Sequence, residues 1–230
     1  MKEISQVAVD PVIFTIDNLK LKVLLKKREK GPFEGLLELP GGLLENNESA
    51  KETLERKLKD LLGINNIFLS QFYTFTDPKR DPRGRVISIG FIALVNNELI
   101  KSKESWHDVK GLNELAFDHK KIIEKAQEHL KKNIDTLIVK QFMPKYFTLN
   151  NLQKVYEIIE DKNYDNRNFR KKMISSGIVE KTKRTEEEVS HRPGILYQFT
   201  IETALKEKKS AFGMLKGIGP YKKERFSDFD

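Results

Sequence analysis

The 230 residues include no cysteine, which excludes disulfides, thiolate metal sites and cysteine nucleophiles. No apolar run approaches the roughly 18 residues that a helical membrane span needs. The start, Met1 to Gln6, lacks the basic and apolar regions of a secretory signal. No internal repeat is visible. These absences predict a soluble, cytoplasmic protein with no membrane partner. Charge, by contrast, is abundant. Asp, Glu, Lys and Arg make up 33% of the chain, and 42 basic residues against 34 acidic ones give a formal net charge of +8. Such a balance favours polyanionic partners, although the location of the cations decides more than their number. A hydrophobic share of 38% suffices for packed cores in one large domain or two modest ones.

Val7 to Ile16 and Leu21 to Leu25 are apolar and β-branched, with a turn signal at Asp17-Asn18, and predict a hairpin. Leu36 to Leu39 is a short apolar run stopped by Pro40-Gly41-Gly42. Ser49 to Leu62 carries apolar residues at helical spacing (Ala50, Leu54, Leu58, Leu61, Leu62), with Gly63 as a stop signal. Ile67 to Thr76, Val86 to Val95 and Trp106 to Val109 predict strands, and Lys120 to Leu130 a helix. Asn133 to Tyr146 has the character of a connection between domains. Beyond it, Thr148 and Asp165 are N-cap candidates for two helices, and Gly177 ends the second. Ile178-Val179 and Ile195 to Ile201 predict a pair of strands. Two helices followed by a two-stranded wing is the winged helix-turn-helix order. A Lys- and Gly-rich tail follows Thr203.

Three groups of residues bear on function. In the first, five residues separate Gly42 from Glu48 and seven separate Glu48 from Arg56, with Leu58, Gly63 and Ile64 following. This segment resembles the Nudix box, Gly-x5-Glu-x7-Arg-Glu-U-x-Glu-Glu-x-Gly-U with U apolar, and the resemblance extends over roughly residues 7 to 130. Nudix enzymes use the glutamates after the arginine to hold magnesium against a diphosphate. Hard carboxylate oxygens are the ligands that cation takes. Here those positions are Lys57, Asp60 and Leu61, and only Asp60 offers a carboxylate. Glu48 and Arg56 remain to pair across the loop and helix. Glu45, Glu48 and Glu52 form either a different metal site or, as the preferred reading, a solvated first turn favoured by the helix dipole.

The second group is Arg80-Asp81-Pro82-Arg83-Gly84-Arg85, a tight loop before a strand. Guanidinium groups bind phosphates in bidentate fashion, so Arg80, Arg83 and Arg85 are candidates for an anionic ligand. The same residues would equally serve as a solvated loop or as structural ion pairs. The third group lies on the second C-terminal helix: Asn166, Arg167, Asn168, Arg170, Lys171 and Lys172, with Phe169 and Met173 on the opposite face. The second helix of a helix-turn-helix enters the major groove, where Arg reads guanine and Asn reads adenine. Arg192 in the wing would reach the backbone or the minor groove. A solvated basic helix face is the plain alternative.

The arginine loop with the following Val86 to Phe91, Phe117-Asp118-His119 before a helix, and the C-terminal stretches Phe147-Thr148-Leu149, Asn168-Phe169-Arg170-Lys171 and Arg192-Pro193 together resemble the Nudix-related transcriptional regulators of the NrtR type. Phe117-Asp118-His119 is also similar to some ADP-ribose-cleaving Nudix enzymes. The resemblance implies an α+β chain: a Nudix-like α/β/α sandwich at residues 1–140 and a winged helix-turn-helix domain at 141–230. It implies a homodimeric regulator, usually a repressor, that binds an inverted-repeat DNA operator and responds to ADP-ribose, tied to NAD metabolism, or to a sugar-type effector. Arg80, Arg83, Arg85, Arg56 and Glu48 would bind the effector, with no catalytic residue, metal or cofactor. The rival from the enzyme class is a Nudix hydrolase acting on ADP-ribose or a similar nucleoside diphosphate derivative, against which Lys57 and Leu61 speak. An RNA-binding adaptor would need an aromatic stacking surface, and none is evident.

Overall fold

The structure is a computed structural model and describes residues 5–45, 47–63, 67–97, 100, 105–135, 137–187 and 193–200. Ile64, His191, Arg192 and the tail after Thr203 lie outside them. The first strand, β1 (Gln6–Asp17), is the centre of a six-stranded sheet. It turns back through Asn18 and Leu19, both at positive φ, into antiparallel β2 (Lys20–Leu24). Two short pairs follow: β3 (Lys26–Lys27) with β4 (Leu37–Glu38), and β5 (Gly42–Leu43) with the start of β1. Helix α1 (Ala50–Leu62) leads to β6 (Phe68–Phe75), β7 (Val86–Leu94) and β8 (Trp106–Asp108). The sheet order is β6-β7-β1-β2-β8, with β7 parallel to β1. Helix α2 (His119–Lys132) completes the unit.

Side chains of a strand alternate between faces, and parity sorts the buried residues of β1 and β7 into two layers. Val9, Ile13, Phe91 and Ala93 meet Leu54 and Leu58 of α1. Val12, Phe14, Ile92 and Leu94 meet Ile122, Ile123, Ala126 and Leu130 of α2. Both faces are covered, so β1 is buried almost throughout, and the result is an α/β/α sandwich. Helix α1 starts where Ser49 accepts from the Glu52 amide while the Glu52 carboxylate accepts from the Ser49 amide. It stops at Gly63, which takes the left-handed conformation (φ 64°) that costs glycine little.

The C-terminal unit comprises α3 (Leu149–Glu160), α4 (Asn166–Ser175) and the antiparallel pair β9 (Val179–Thr185) and β10 (Ile195–Phe199). Thr148 and Asp165 cap the two helices by accepting from the amides of Asn151 and Asn168. Between the helices, the Gln153 side chain donates to the carbonyl of Tyr164 and to the Glu157 carboxylate, which itself accepts from the Tyr164 amide. Tyr156 packs edge to face on Tyr164 and Phe169 beneath this turn. The strand β9 runs six residues past the expected Val179, which makes the wing longer than local composition indicates.

The expected connection is not a loose linker. Leu137–Phe142 forms a 3-10 turn, and Ile134, Ile138, Val139, Phe142 and Met143 are buried. They belong to one apolar core that runs from Val12 and Ile92 to Tyr156 and Met173. Phe147 closes the wing onto α3. Its amide and carbonyl pair with those of Tyr197 (3.0 and 2.7 Å), and its buried ring lies 4.8 Å from that of Phe199. Phe147→Ala is expected to cost about 3–5 kcal/mol of stability, measured as a fall in the urea midpoint of the full chain.

Candidate functional site: a charged cleft and a basic helix

Along one edge, β1 pairs with β5 through Ala8 and Val9, and with β2 from Phe14 onward. A cleft of about 170 Å³ opens beside the stretch between them and is lined by Asp10, Glu38, Gly41 and Arg83, among others. A second cavity of about 610 Å³ adjoins it and shares Arg80 and Phe117. Together they have the size of a site for a small molecule. Gly41 is required here because a Cβ at that position would stand 2.3 Å from the Val9 carbonyl and 2.2 Å from the Asp10 carboxylate.

At the floor lies a buried ion cluster. The Arg80 side chain is 5% exposed. Its Nε and Nη2 donate to Asp118 at 3.1 and 2.7 Å, and Nη2 donates to Asp10 at 3.2 Å. Ser88 Oγ donates to the same Asp10 oxygen. Asp118 is the N-cap residue of α2, yet it makes no capping bond, because its carboxylate is committed to Arg80. His119 is buried beside them and accepts from the Leu39 amide through Nδ1 at 3.0 Å. Burial pushes its imidazole below the ordinary range, against the opposing pull of Asp10, Asp118 and Glu38.

The walls are aromatic and cationic. Phe33 and Phe117 both sit at positive φ (65° and 54°), a strained region for side chains of that size. Their rings meet edge to face at 5.0 Å. Arg28 and Arg83 lie over the Phe117 ring at 4.8 and 5.3 Å. Glu38 holds Arg28 at 2.7 Å and Lys26 at 3.2 Å. Tyr73 and Phe75 face the larger cavity, with Lys79, Lys121 and Lys125 beside them.

The candidate residues therefore separate. Arg83 lines the cleft, half-exposed, and is held by Asp81 at 3.0 and 2.6 Å, which keeps the Asp81 carboxyl below its usual range. Arg80 lines both cavities, but all its contacts run to the carboxylates beneath. Arg85 lines neither and instead donates to the Thr76 carbonyl at 2.8 Å, closing the base of the loop. Glu48 and Arg56 also stand outside both cavities. They pair as expected, Arg56 donating to Glu48 at 2.8 Å and to Glu45 at 3.0 Å. Glu52 is spent on the cap of α1, so the three glutamates are not gathered as one acidic site.

Magnesium does not suit the donors present. Asp60 and Leu61 are exposed on α1, and the Lys57 ammonium lies against Gly42, 3.1 Å from where a Cβ would stand. Among the described residues no group of three or more His, Asp or Glu side chains is placed to hold a metal ion. Lys57, Lys26, Arg28, Phe33 and Phe117 were not singled out as ligand residues from sequence. Only their proximity in the fold shows them, since they come from three separate segments, the β3–β4 hairpin, α1 and the loop before α2.

On α4, Phe169 and Met173 are buried, and Asn166, Arg167, Asn168, Arg170, Lys171 and Lys172 are all exposed. At 3.6 residues per turn, Arg167 and Lys171 lie opposite the buried pair. Arg170 donates to Asn150 of α3 at 3.0 Å. Lys172 turns to the flank and pairs with Asp135, after the end of α2, at 3.0 Å. The wing adds Lys181, Lys183 and Arg184, all exposed on β9, which the sequence reading did not single out.

A six-stranded α/β/α domain with this loop-helix box, joined to a winged helix-turn-helix, defines a class of Nudix-based DNA-binding regulators. The comparisons agree with it. A family model for the NUDIX domain matches residues 6–128, and one for the NrtR DNA-binding winged helix domain matches residues 139–199. The chain is 34% identical over 205 residues to the ADPR responsive transcriptional repressor NtrR of Acinetobacter baylyi, covering 84% of this chain and 82% of that protein. It is 43% identical over 122 residues to an ADP-ribose pyrophosphatase of Methanocaldococcus jannaschii, covering 51% of this chain and 70% of that one. Its fold superposes on that of Shewanella oneidensis NrtR complexed with a 27mer DNA with a TM-score of 0.76, at 30% identity over 86% of this chain and 95% of the other. The chain belongs to the NrtR family of transcriptional regulators.

The buried His119 makes a prediction about pH. The folded state holds it neutral, whereas the unfolded chain takes up the proton near the ordinary value of 6.5. Stability is therefore full above that pH and is lost as pH falls below it. His119→Asn keeps an acceptor for the Leu39 amide and removes the titration. Its melting temperature should fall less than that of wild type between about pH 7.5 and about pH 5.5. Equal falls would show that His119 titrates alike in both states.

Proposed function

We propose that this chain is a ligand-responsive transcriptional repressor. Its Nudix domain binds ADP-ribose in the paired cavities without hydrolysing it, and its winged helix reads a DNA operator. One observation carries the reading: a cleft walled by Arg28, Arg83, Lys26 and Phe117 adjoins Gly42 of a Nudix box that carries Lys57 and Leu61 in place of two carboxylates. The half-exposed Arg83 and Lys26 on the walls suit a diphosphate, and the aromatic second cavity suits a base. The relatives support this in kind, one being an ADPR responsive repressor and another a regulator complexed with DNA. The ADP-ribose pyrophosphatase relative covers the Nudix half and favours a second reading, hydrolysis, with Asp60 as the carboxylate still in register. We further propose that the domain boundary falls near residue 140, that the protein works in the cytoplasm, and that it binds an inverted-repeat operator as a homodimer, in which Arg167 and Asn168 of α4 reach base edges and Lys171 and the β9 cations reach phosphates. Arg80 acts beneath the ligand as a positioning residue, and Glu48, Arg56 and Arg85 shape the loops.

Coupling runs through α2. Its N-terminal end carries Asp118 and His119 at the cleft, the helix runs about 21 Å at 1.5 Å per residue to Lys132, and Asp135, three residues on, holds Lys172 of α4. A ligand that draws on Arg80 and Asp118 thereby shifts the support of the reading helix.

Calorimetry and thermal shift with ADP-ribose test the ligand. Binding to the folded state raises the melting temperature, and Arg83→Ala should weaken binding about ten-fold or more, since charge-assisted bonds are worth about 1.5–3 kcal/mol each. Magnesium-dependent turnover abolished by Asp60→Asn would establish the hydrolase instead. Gel shifts test the DNA reading. Arg167→Ala should cost about 1–3 kcal/mol of specific binding, and ADP-ribose should release the DNA. Asp135→Ala should reduce that release while leaving ADP-ribose affinity intact, and an unchanged release would remove α2 from the coupling.

A further inference from the structure

Helix α4 has three apolar residues. Phe169 and Met173 are buried, at 2% and 0% exposure, whereas Ile174 is 54% exposed. A single exposed isoleucine is unremarkable on most surfaces. This one stands seven residues after Arg167, four after Arg170 and three after Lys171, so helical periodicity stacks it on the same face as Arg167 and Lys171, turned away from the core. It therefore lies within the exposed basic face, flanked by cations at every helical neighbour on its N-terminal side. Duplex DNA offers one apolar feature in the major groove, the C5-methyl group of thymine. A β-branched side chain on a helix is largely fixed in one χ1 rotamer, so it meets such a methyl group with little ordering to do.

Resting on the DNA-binding reading above, we propose that Ile174 is a specificity-determining residue that recognises a thymine methyl group in the operator. Seven residues of helix advance about 10.5 Å, which places that thymine about three base steps, of 3.4 Å each, from the base met by Arg167. Lys171 and the β9 cations position the helix and supply most of the affinity, and Arg167 reads its own base. Ile174 adds discrimination of thymine from cytosine and uracil at one position in each half-site.

The test replaces each thymine of the duplex preferred by the full-length protein, found by selection from random sequence, with deoxyuridine. That change removes the methyl group and keeps every hydrogen-bonding edge. A replacement in one half-site should weaken wild-type binding about three- to five-fold, the effect of one buried methyl group. Ile174→Ala should be indifferent to that replacement while still discriminating the base pair that Arg167 reads, and Ile174→Val should show a reduced penalty. Circular dichroism checks that the variants are folded, and an exposed helical site accepts alanine readily. A preferred duplex without thymine under α4, deoxyuridine replacements without effect, or an equal penalty in Ile174→Ala would each overturn the assignment of Ile174 alone. Failure of wild type to select any sequence would overturn the DNA-binding reading with it.

Discussion

The guanidinium of Arg80, enclosed between Asp10 and Asp118, is the contact around which the Nudix domain is arranged. It joins the central strand, the arginine loop and the first turn of α2, segments 70 and 38 residues away in sequence. Removing charges from water costs several kcal/mol per ion, and the cost is met only where geometry and hydrogen bonding are good. Here three guanidinium bonds and the Ser88 hydroxyl supply that geometry. Loss of one member would leave the others buried and unpaired. The cluster thus holds α2 at a set position relative to the sheet, and the cleft walls follow from it: Phe117 is forced to positive φ immediately before Asp118 and is turned toward Arg28, Arg83 and Phe33.

The same fixed helix ties the two units together. Its apolar face packs on Val12, Phe14 and Ile92, and the segment beyond it inserts Ile134, Ile138, Val139 and Phe142 into the core that also holds Tyr156 and Met173. Interiors packed like crystals transmit displacement and do not absorb it. Two surface ion pairs, Lys110 with Asp161 and Lys172 with Asp135, span the same junction. Exposed pairs of this kind contribute little to stability, so the apolar core carries the attachment and the ion pairs orient it. A Nudix domain and a winged helix domain that share one core can influence each other without a long mobile linker.

Much of the fold was legible because its signals are local. Thr148, Asp165 and Gly63 end helices through contacts within a few residues, and they do so where the sequence places them. The Nudix spacing is likewise local, as is the basic face of α4. The wing was read less well. Val179–Thr185 is polar and charged, without the apolar alternation that marks a strand, and it becomes one by pairing with β10. Composition also placed a connection at Asn133 to Tyr146, and burial against both units turned that stretch into core.

The candidate ligand site shows the division most clearly. The sequence by itself determined that two of the three carboxylates with which a Nudix enzyme holds its metal are replaced, because Lys57, Asp60 and Leu61 are identities at set spacings on one helix. It also determined that arginines crowd the loop from Arg80 to Arg85. Only the tertiary structure decided what each arginine does: Arg80 is enclosed by two carboxylates, Arg85 ties the loop to Thr76, and Arg83 remains half-exposed at the cleft. It alone brought Lys26, Arg28, Phe33 and Phe117 to the same walls. The physical reason is range. Capping and helical spacing act over three or four residues, whereas the fate of a buried charge depends on which distant partner the chain folds against it.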